Sequence, residues 1–165
     1  MNNDAIKYWN ERSIKSFKYK GEYFYTISPI PYYYKMRSII LNSLIKEINF
    51  NLHKDIRILD FGCGDGFYLN YLNKIFPKIE FSGYDVSEMF ILKAREILHD
   101  NIFLFSNYNN IINLNFDIVY SIFVLAHISN DNIYNIFKNI YRLLRSSSNT
   151  IMGGGYLYYV IRLLV

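Results

Sequence analysis

Asp60, the glycines of Gly62-Cys63-Gly64-Asp65-Gly66 and Asp85 are the residues whose types and spacing point to chemistry. The apolar run Ile56-Arg57-Ile58-Leu59-Asp60-Phe61 reads as a buried parallel strand that passes directly into the glycine-rich turn. Glycine takes positive φ and has no Cβ, so at such a turn the backbone itself can approach a ligand. The pattern Tyr68-Leu69-Asn70-Tyr71-Leu72 then starts a helix whose free N–H groups face the turn. Asp60 sits awkwardly beside a pyrophosphate but suits an ammonium group. Asp85 ends a second expected strand, 23 residues after Gly62, near the spacing of about 20 at which an acid binds ribose hydroxyls. Its carboxylate offers two acceptor oxygens to two adjacent hydroxyls. The competing role for Asp85 is electrostatic, an acid placed ahead of the helix that starts near Ser87.

Two ligands suit this turn, a dinucleotide and S-adenosyl-L-methionine. A dinucleotide fingerprint reads G-x-G-x-x-G, whereas the order here is G-x-G-x-G after an acid. Across Leu59-Asp60-Phe61-Gly62-Cys63-Gly64-Asp65-Gly66 the sequence resembles the class I S-adenosylmethionine-dependent methyltransferases, whose first motif is hydrophobic-D-x-G-x-G-x-G. The resemblance runs from about Tyr8 to Arg145. It implies S-adenosyl-L-methionine as cofactor, held by Asp60, Gly62, Cys63, Gly64 and Asp85, and methyl transfer as the activity. It also implies that Val86 and Met89 flank the adenine, Met89 being equally a core residue. Asn107 stands where the family has an acid that bonds the adenine amino group. Arg37 falls where relatives contact the methionine carboxylate, a solvated helix face being the other reading, and Tyr25, Tyr32, Tyr33 and Tyr34 fall where they place a lid.

The segment Asn115 to Ile128 is similar to the family's fourth strand and puts Phe123 and Val124 at its carboxyl end, over the cofactor. His127 either orients a substrate or acts as a base, or is a satisfied histidine at a helix approach. Cys63 has no base nearby in sequence, so its backbone rather than its thiol faces the ligand. No catalytic residue is assigned. His53 and His99 lack an acid or cysteine constellation, and no metal site is expected.

From Ile56 onward strands and helices alternate, so the expected fold is α/β, a Rossmann-like parallel sheet with helices on both faces. Strands are expected at 56–61, 79–84, 102–106 and 117–123, and helices at 66–76, from Ser87, and at 130–145. Upstream, an amphipathic helix over 2–18 and a second from Pro31 to about Phe50 flank an aromatic stretch, Tyr19 to Pro31, that reads as a loop. One domain over 1–165 divides into 1–52 (N-terminal helices and lid), 53–152 (cofactor-binding core) and 153–165 (atypical tail). After Leu143-Leu144-Arg145 the family's usual turn is missing. Thr150 to Met152 reads as a short fifth strand, and the ten residues after the glycines are too few for the closing helix and strands of a seven-stranded sheet. The sheet is therefore expected to be incomplete there, leaving an edge that is open or covered in a reduced way.

Fifty-two per cent hydrophobic residues among 165 allow one sizeable core. The net charge of +4 comes from 18 scattered Lys and Arg, without the block of about five like charges that marks a nucleic-acid arm. A small-molecule acceptor is therefore favoured over nucleic acid. The single cysteine rules out an internal disulfide. No secretory signal is visible, and the longest apolar tract, Tyr156 to Val165, is broken by Arg162 and about half the roughly 20 residues of a membrane span. These features predict a cytoplasmic protein away from membranes and leave its oligomeric state open. The rival reading is a truncated or degenerate cofactor-binding remnant without catalysis; a dehydrogenase is third.

Overall fold

The computed structural model describes residues 3–15, 17–19, 22–24, 30–50, 56–124, 127–128, 130–154 and 157–161. Helix α1 (Asn3–Ile14) leads to an antiparallel pair, β1 (Phe17–Tyr19) and β2 (Glu22–Phe24), and then to α2 (Ile30–Phe50). The alternating part follows as β3 (Arg57–Phe61), α3 (Phe67–Ile75), β4 (Glu80–Tyr84), α4 (Glu88–Ile97), β5 (Phe103–Phe105), β6 (Phe116–Ile122), α5 (Asn130–Leu143), β7 (Leu144–Gly154) and β8 (Leu157–Ile161). In the six-stranded sheet the order is β5-β4-β3-β6-β7-β8. All neighbours pair in parallel except β7 and β8. The chain steps outward from β3 to β5 and then resumes on the other side of β3, and ligands of open α/β sheets bind at the carboxyl ends beside such a reversal.

The alternation of side chains along β3 explains why the sheet is covered twice. Ile58 faces a core built from α2, α3 and α4, including Leu44, Leu69 and Ile91. Leu59 and Phe61 lie in a second cluster with Ile136 and Ile140 of α5. At the end of the sheet away from the glycine turn, Arg57 joins three strands. Its N–H donates to Asp117 Oδ2 (2.8 Å), its Nε to Glu80 Oε1 (2.5 Å) and its Nη1 to the Asn115 carbonyl (3.2 Å). These partners are partly exposed, so the ion pair contributes less than about 1 kcal/mol and serves alignment more than stability.

Ser87 is the N-cap of α4, its Oγ accepting from Phe90 N–H at 3.3 Å. The same hydroxyl donates to Asn10 Oδ1 of α1 at 2.6 Å, and Lys93 of α4 donates to the Ser13 carbonyl of α1. Helix α1 is thereby tied to the start of α4. Ser87→Ala is expected to destabilise the protein by about 1 to 2 kcal/mol, because it removes both the cap and the link to α1. Denaturant melts of the two proteins check this.

Two expectations need correction. Helix α1 ends at Ile14, and part of the stretch read as helix and loop forms the β1–β2 ladder, with Phe17↔Phe24, Lys18↔Tyr23 and Tyr19↔Glu22 as partners. Aromatic residues suit strands, and the two segments pair across the turn signal at Gly21. Helix α5 stops at Leu143, and the fifth strand covers Leu144–Gly154 rather than Thr150–Met152. Pairing with β6, from Ile118↔Asn149 to Ile122↔Gly153, supplies backbone partners that the polar Ser-rich run does not advertise. The tail covers the sheet edge in the reduced way that is one of the two expectations: β8 pairs antiparallel with β7 from Thr150↔Ile161 to Gly154↔Leu157. Among the described residues the edge left by β7 is thus covered by one strand, and the sheet has six strands where the resemblance implies seven. Among the described residues no helix is long and apolar enough to cross a membrane.

Candidate functional site

The turn after β3 is held open by its own backbone. Gly62, Gly64 and Gly66 have φ of 88°, 54° and 79°, the region where L side chains are strained. Gly62 and Cys63 N–H both donate to the Tyr84 carbonyl at the end of β4 (2.7 and 3.0 Å), and Gly66 N–H donates to the Cys63 carbonyl (3.0 Å). A Cβ on Gly62 would lie 2.1 Å from Val124 Cγ2, and one on Gly66 would lie 2.6 Å from Leu98 Cδ1 of the segment closing α4. Among the described residues, a Cβ on Gly64 would meet nothing within 4 Å. The outer glycines make room for protein, while the middle one borders open space.

Three carboxylates converge on this loop. Asp85 Oδ2 accepts from Gly64 N–H (3.0 Å) and its Oδ1 from Ser87 N–H (2.9 Å), so it bridges the glycine loop to the start of α4. Each oxygen keeps a second lone pair for a ligand. Burial pushes the Asp85 carboxyl up to about 6, against the two amide donors and with help from the Asp65 charge. Asp65 is buried, its Oδ1 accepting from Phe67 N–H at 3.3 Å. Asp60, only 1% exposed, has an Oδ2 with no hydrogen-bond partner. Burial raises its carboxyl well above the ordinary range; the Tyr120 hydroxyl opposes this, and the charges of Asp85 and Asp65 add to it. The Cys63 thiol is buried and pushed up by burial and by the same acids, Asp60 foremost. It is a protonated thiol, consistent with a backbone role and not a nucleophilic one.

The other expected residues have different settings. Arg37 of α2 is buried, with its guanidinium 3.7 Å from the ring centre of Phe67, the first residue of α3. Val86 and Met89 are half-buried at the start of α4. Asn107 is exposed, and its Oδ1 accepts from Asn109 N–H (2.9 Å), capping a short 3-10 turn with one of its two lone pairs. Phe123, just past β6, is half-buried with φ of 62°, the one positive φ outside glycine among the described residues. Such backbone costs on the order of 1 to 3 kcal/mol and clusters at functional sites. His127 is exposed and set edge-on to Trp9 of α1, with ring centres 4.7 Å apart and planes at 82°. Partial burial and the Arg12 charge hold its imidazole below the ordinary value.

Tyr25 and His53 lie outside the described residues, and of Tyr32, Tyr33 and Tyr34 only the backbone in α2 is described. Sequence reasoning missed Asp65, which its place inside the glycine motif could have flagged, and Asn10, whose bond to Ser87 arises from the docking of α1. Among the described residues no group of three or more His, Cys, Asp and Glu is placed to hold a metal ion.

Residues 59–148 match the family model described as "Methyltransferase domain". The chain belongs to this family. Solved structures agree in fold with this methyltransferase domain. The chain is similar to DhpI in its complex with SAH (17% identity, TM-score 0.63), with 89% of this chain and 65% of that chain covered. It is similar to a TehB-like SAM-dependent methyltransferase from Corynebacterium glutamicum (22% identity, TM-score 0.58; 74% and 71% covered). It is also similar to the plantazolicin methyltransferase BpumL in complex with a monoazolic desmethylPZN analog and SAH (20% identity, TM-score 0.60; 71% and 46% covered). The chain thus spans 65% of the DhpI chain and less than half of the BpumL chain. A comparison with curated proteins finds no match.

Proposed function

We propose that this chain transfers the methyl group of S-adenosyl-L-methionine to a small-molecule acceptor in the cytoplasm. The observation that carries this reading is the space that the described residues leave open beside Gly64, with a half-buried carboxylate at Asp85 and a fully buried one at Asp60 whose Oδ2 has no hydrogen-bond partner. A ligand bearing a ribose and an ammonium answers each of these features. Ribose hydroxyls donate to the remaining lone pairs of Asp85, the ammonium neutralises Asp60, and the ligand's body lies against the bare backbone of Gly64. In this reading Arg37 binds the methionine carboxylate, Val86 and Met89 flank the adenine, Asn107 faces its amino edge, and Phe123 closes the site from β6.

Bound S-adenosyl-L-methionine supplies an electrophilic methyl on a sulfonium whose leaving group departs neutral. The chain's own residues then have three tasks: to hold the cofactor, to align the acceptor and to exclude water. Scattered basic residues support a small acceptor over nucleic acid, as do the desmethylPZN analogs bound by BpumL. The lone, buried cysteine suits a reducing compartment.

Calorimetric titration with S-adenosylhomocysteine and with NAD tests the reading; tighter binding of NAD overturns it. A second reading is cofactor binding without transfer. That reading is excluded if the protein releases S-adenosylhomocysteine when supplied with S-adenosylmethionine and a cell extract freed of other proteins.

Affinity is expected to depend on pH through Asp85. Ribose hydroxyls need the ionised carboxylate, so affinity should fall as pH drops below about 6. Stability without cofactor moves the other way. A carboxyl raised by folding favours the folded state below its ordinary value of 3.8, and that contribution is lost as pH rises through about 6. Titrations and melts across this range check both signs.

A further inference from the structure

In the parallel ladder between β3 and β6, Asp60 and Tyr120 are direct partners, so their side chains lie side by side on the face covered by α2, α3 and α4. On its other flank Asp60 is paired with Gly83 of β4, which offers no side chain. Tyr120 is fully buried, and its hydroxyl, like Asp60 Oδ2, has no hydrogen-bond partner of full geometry. Two buried polar groups on adjacent strands with no partner beyond each other call for an explanation. Nothing in the glycine motif announces this tyrosine, which lies 60 residues from its partner in sequence.

We propose that Tyr120 is a positioning residue of the cofactor site, donating its phenolic hydrogen to the Asp60 carboxylate and thereby orienting and sustaining the charge that holds the cofactor's ammonium. This rests on the methyltransferase reading and assigns a further residue to its ammonium pocket. Without a cationic partner Asp60 favours its neutral form, since it faces Asp85 after β4, Asp65 and Cys63 of the glycine loop, and Tyr120 of β6, with Tyr68 of α3 beyond. Binding of the ammonium releases the Asp60 proton to solvent and leaves a carboxylate that accepts from both the ammonium and the phenol. Tyr120 lowers the cost of that ionisation, as a hydrogen bond to the charged form does.

The test is a double-mutant cycle on S-adenosylhomocysteine affinity, measured by calorimetry in two buffers of different ionisation enthalpy so that proton release is counted. Tyr120→Phe is expected to weaken binding about tenfold at neutral pH, to raise the pH at which affinity falls, and to increase the protons released. In an Asp60→Asn background the same change should have almost no effect. Melting temperature serves as a control, because a merely structural phenol without a partner is replaced by Phe at little or no loss. Equal weakening in both backgrounds, or an unchanged pH dependence and proton count in Tyr120→Phe alone, overturns the proposal while leaving the cofactor reading intact. If Asp60→Asn does not fold, the pH shift and proton count of Tyr120→Phe decide alone. A wild-type protein that binds no S-adenosylhomocysteine at any pH overturns both.

Discussion

Gly64→Val folds and loses S-adenosylhomocysteine binding by at least about 100-fold, the equivalent of roughly 2.7 kcal/mol. The stability cost is backbone strain alone. A left-handed residue with a Cβ costs about 1 to 2 kcal/mol, or a melting shift of roughly 2 to 8 °C in a domain of this size, and among the described residues no atom beyond its chain neighbours lies within 4 Å of the new Cβ. The added methyl groups instead fill the space where the ligand meets the backbone. Gly62→Val is the contrast. Its Cβ would stand 2.1 Å from Val124 Cγ2 on a backbone with φ of 88°, so strain and overpacking together are expected to cost about 3 to 5 kcal/mol, enough to unfold a marginal domain. Melts and calorimetric titrations on both variants separate the two glycines. A Gly64→Val protein of unchanged affinity removes the loop from the cofactor site.

Asp85→Ala weakens S-adenosylhomocysteine binding about 10- to 100-fold, as expected for lost hydrogen bonds to a charged group at roughly 1.5 to 3 kcal/mol. Two effects combine. The ribose hydroxyls lose their acceptors, and Gly64 N–H and Ser87 N–H, now held at 3.0 and 2.9 Å by this carboxylate, are released, which loosens the loop against α4. Stability changes less than affinity, because removing a carboxylate that burial has pushed up to about 6 offsets part of the lost bonding. Asp85→Asn keeps one acceptor oxygen and should fall between wild type and alanine. Unchanged affinity in Asp85→Ala would remove the ribose assignment.

The sequence by itself determined the central strand, the glycine loop and the acid at the end of β4, because these signals are local: an apolar run, alternate glycines and a carboxylate at a set spacing. It also determined the N-cap at Ser87, since a hydroxyl that accepts from the N–H three residues on needs only its own helix. Tertiary structure alone decided what pairs with what. The extent of β7 and the presence of β8 depend on ladders to β6 and to each other, and a serine-rich run shows no strand pattern until a neighbour supplies its hydrogen bonds. The different duties of three similar glycines came from distant side chains, Val124 against Gly62 and Leu98 against Gly66, with open space at Gly64. Arg37 reached the loop by stacking on Phe67 across a helix pair. Asp60 met Tyr120 only through the register of two strands 60 residues apart. Burial and charge proximity, which decide whether these acids carry a proton, are properties of the packed sheet and leave no trace in local sequence.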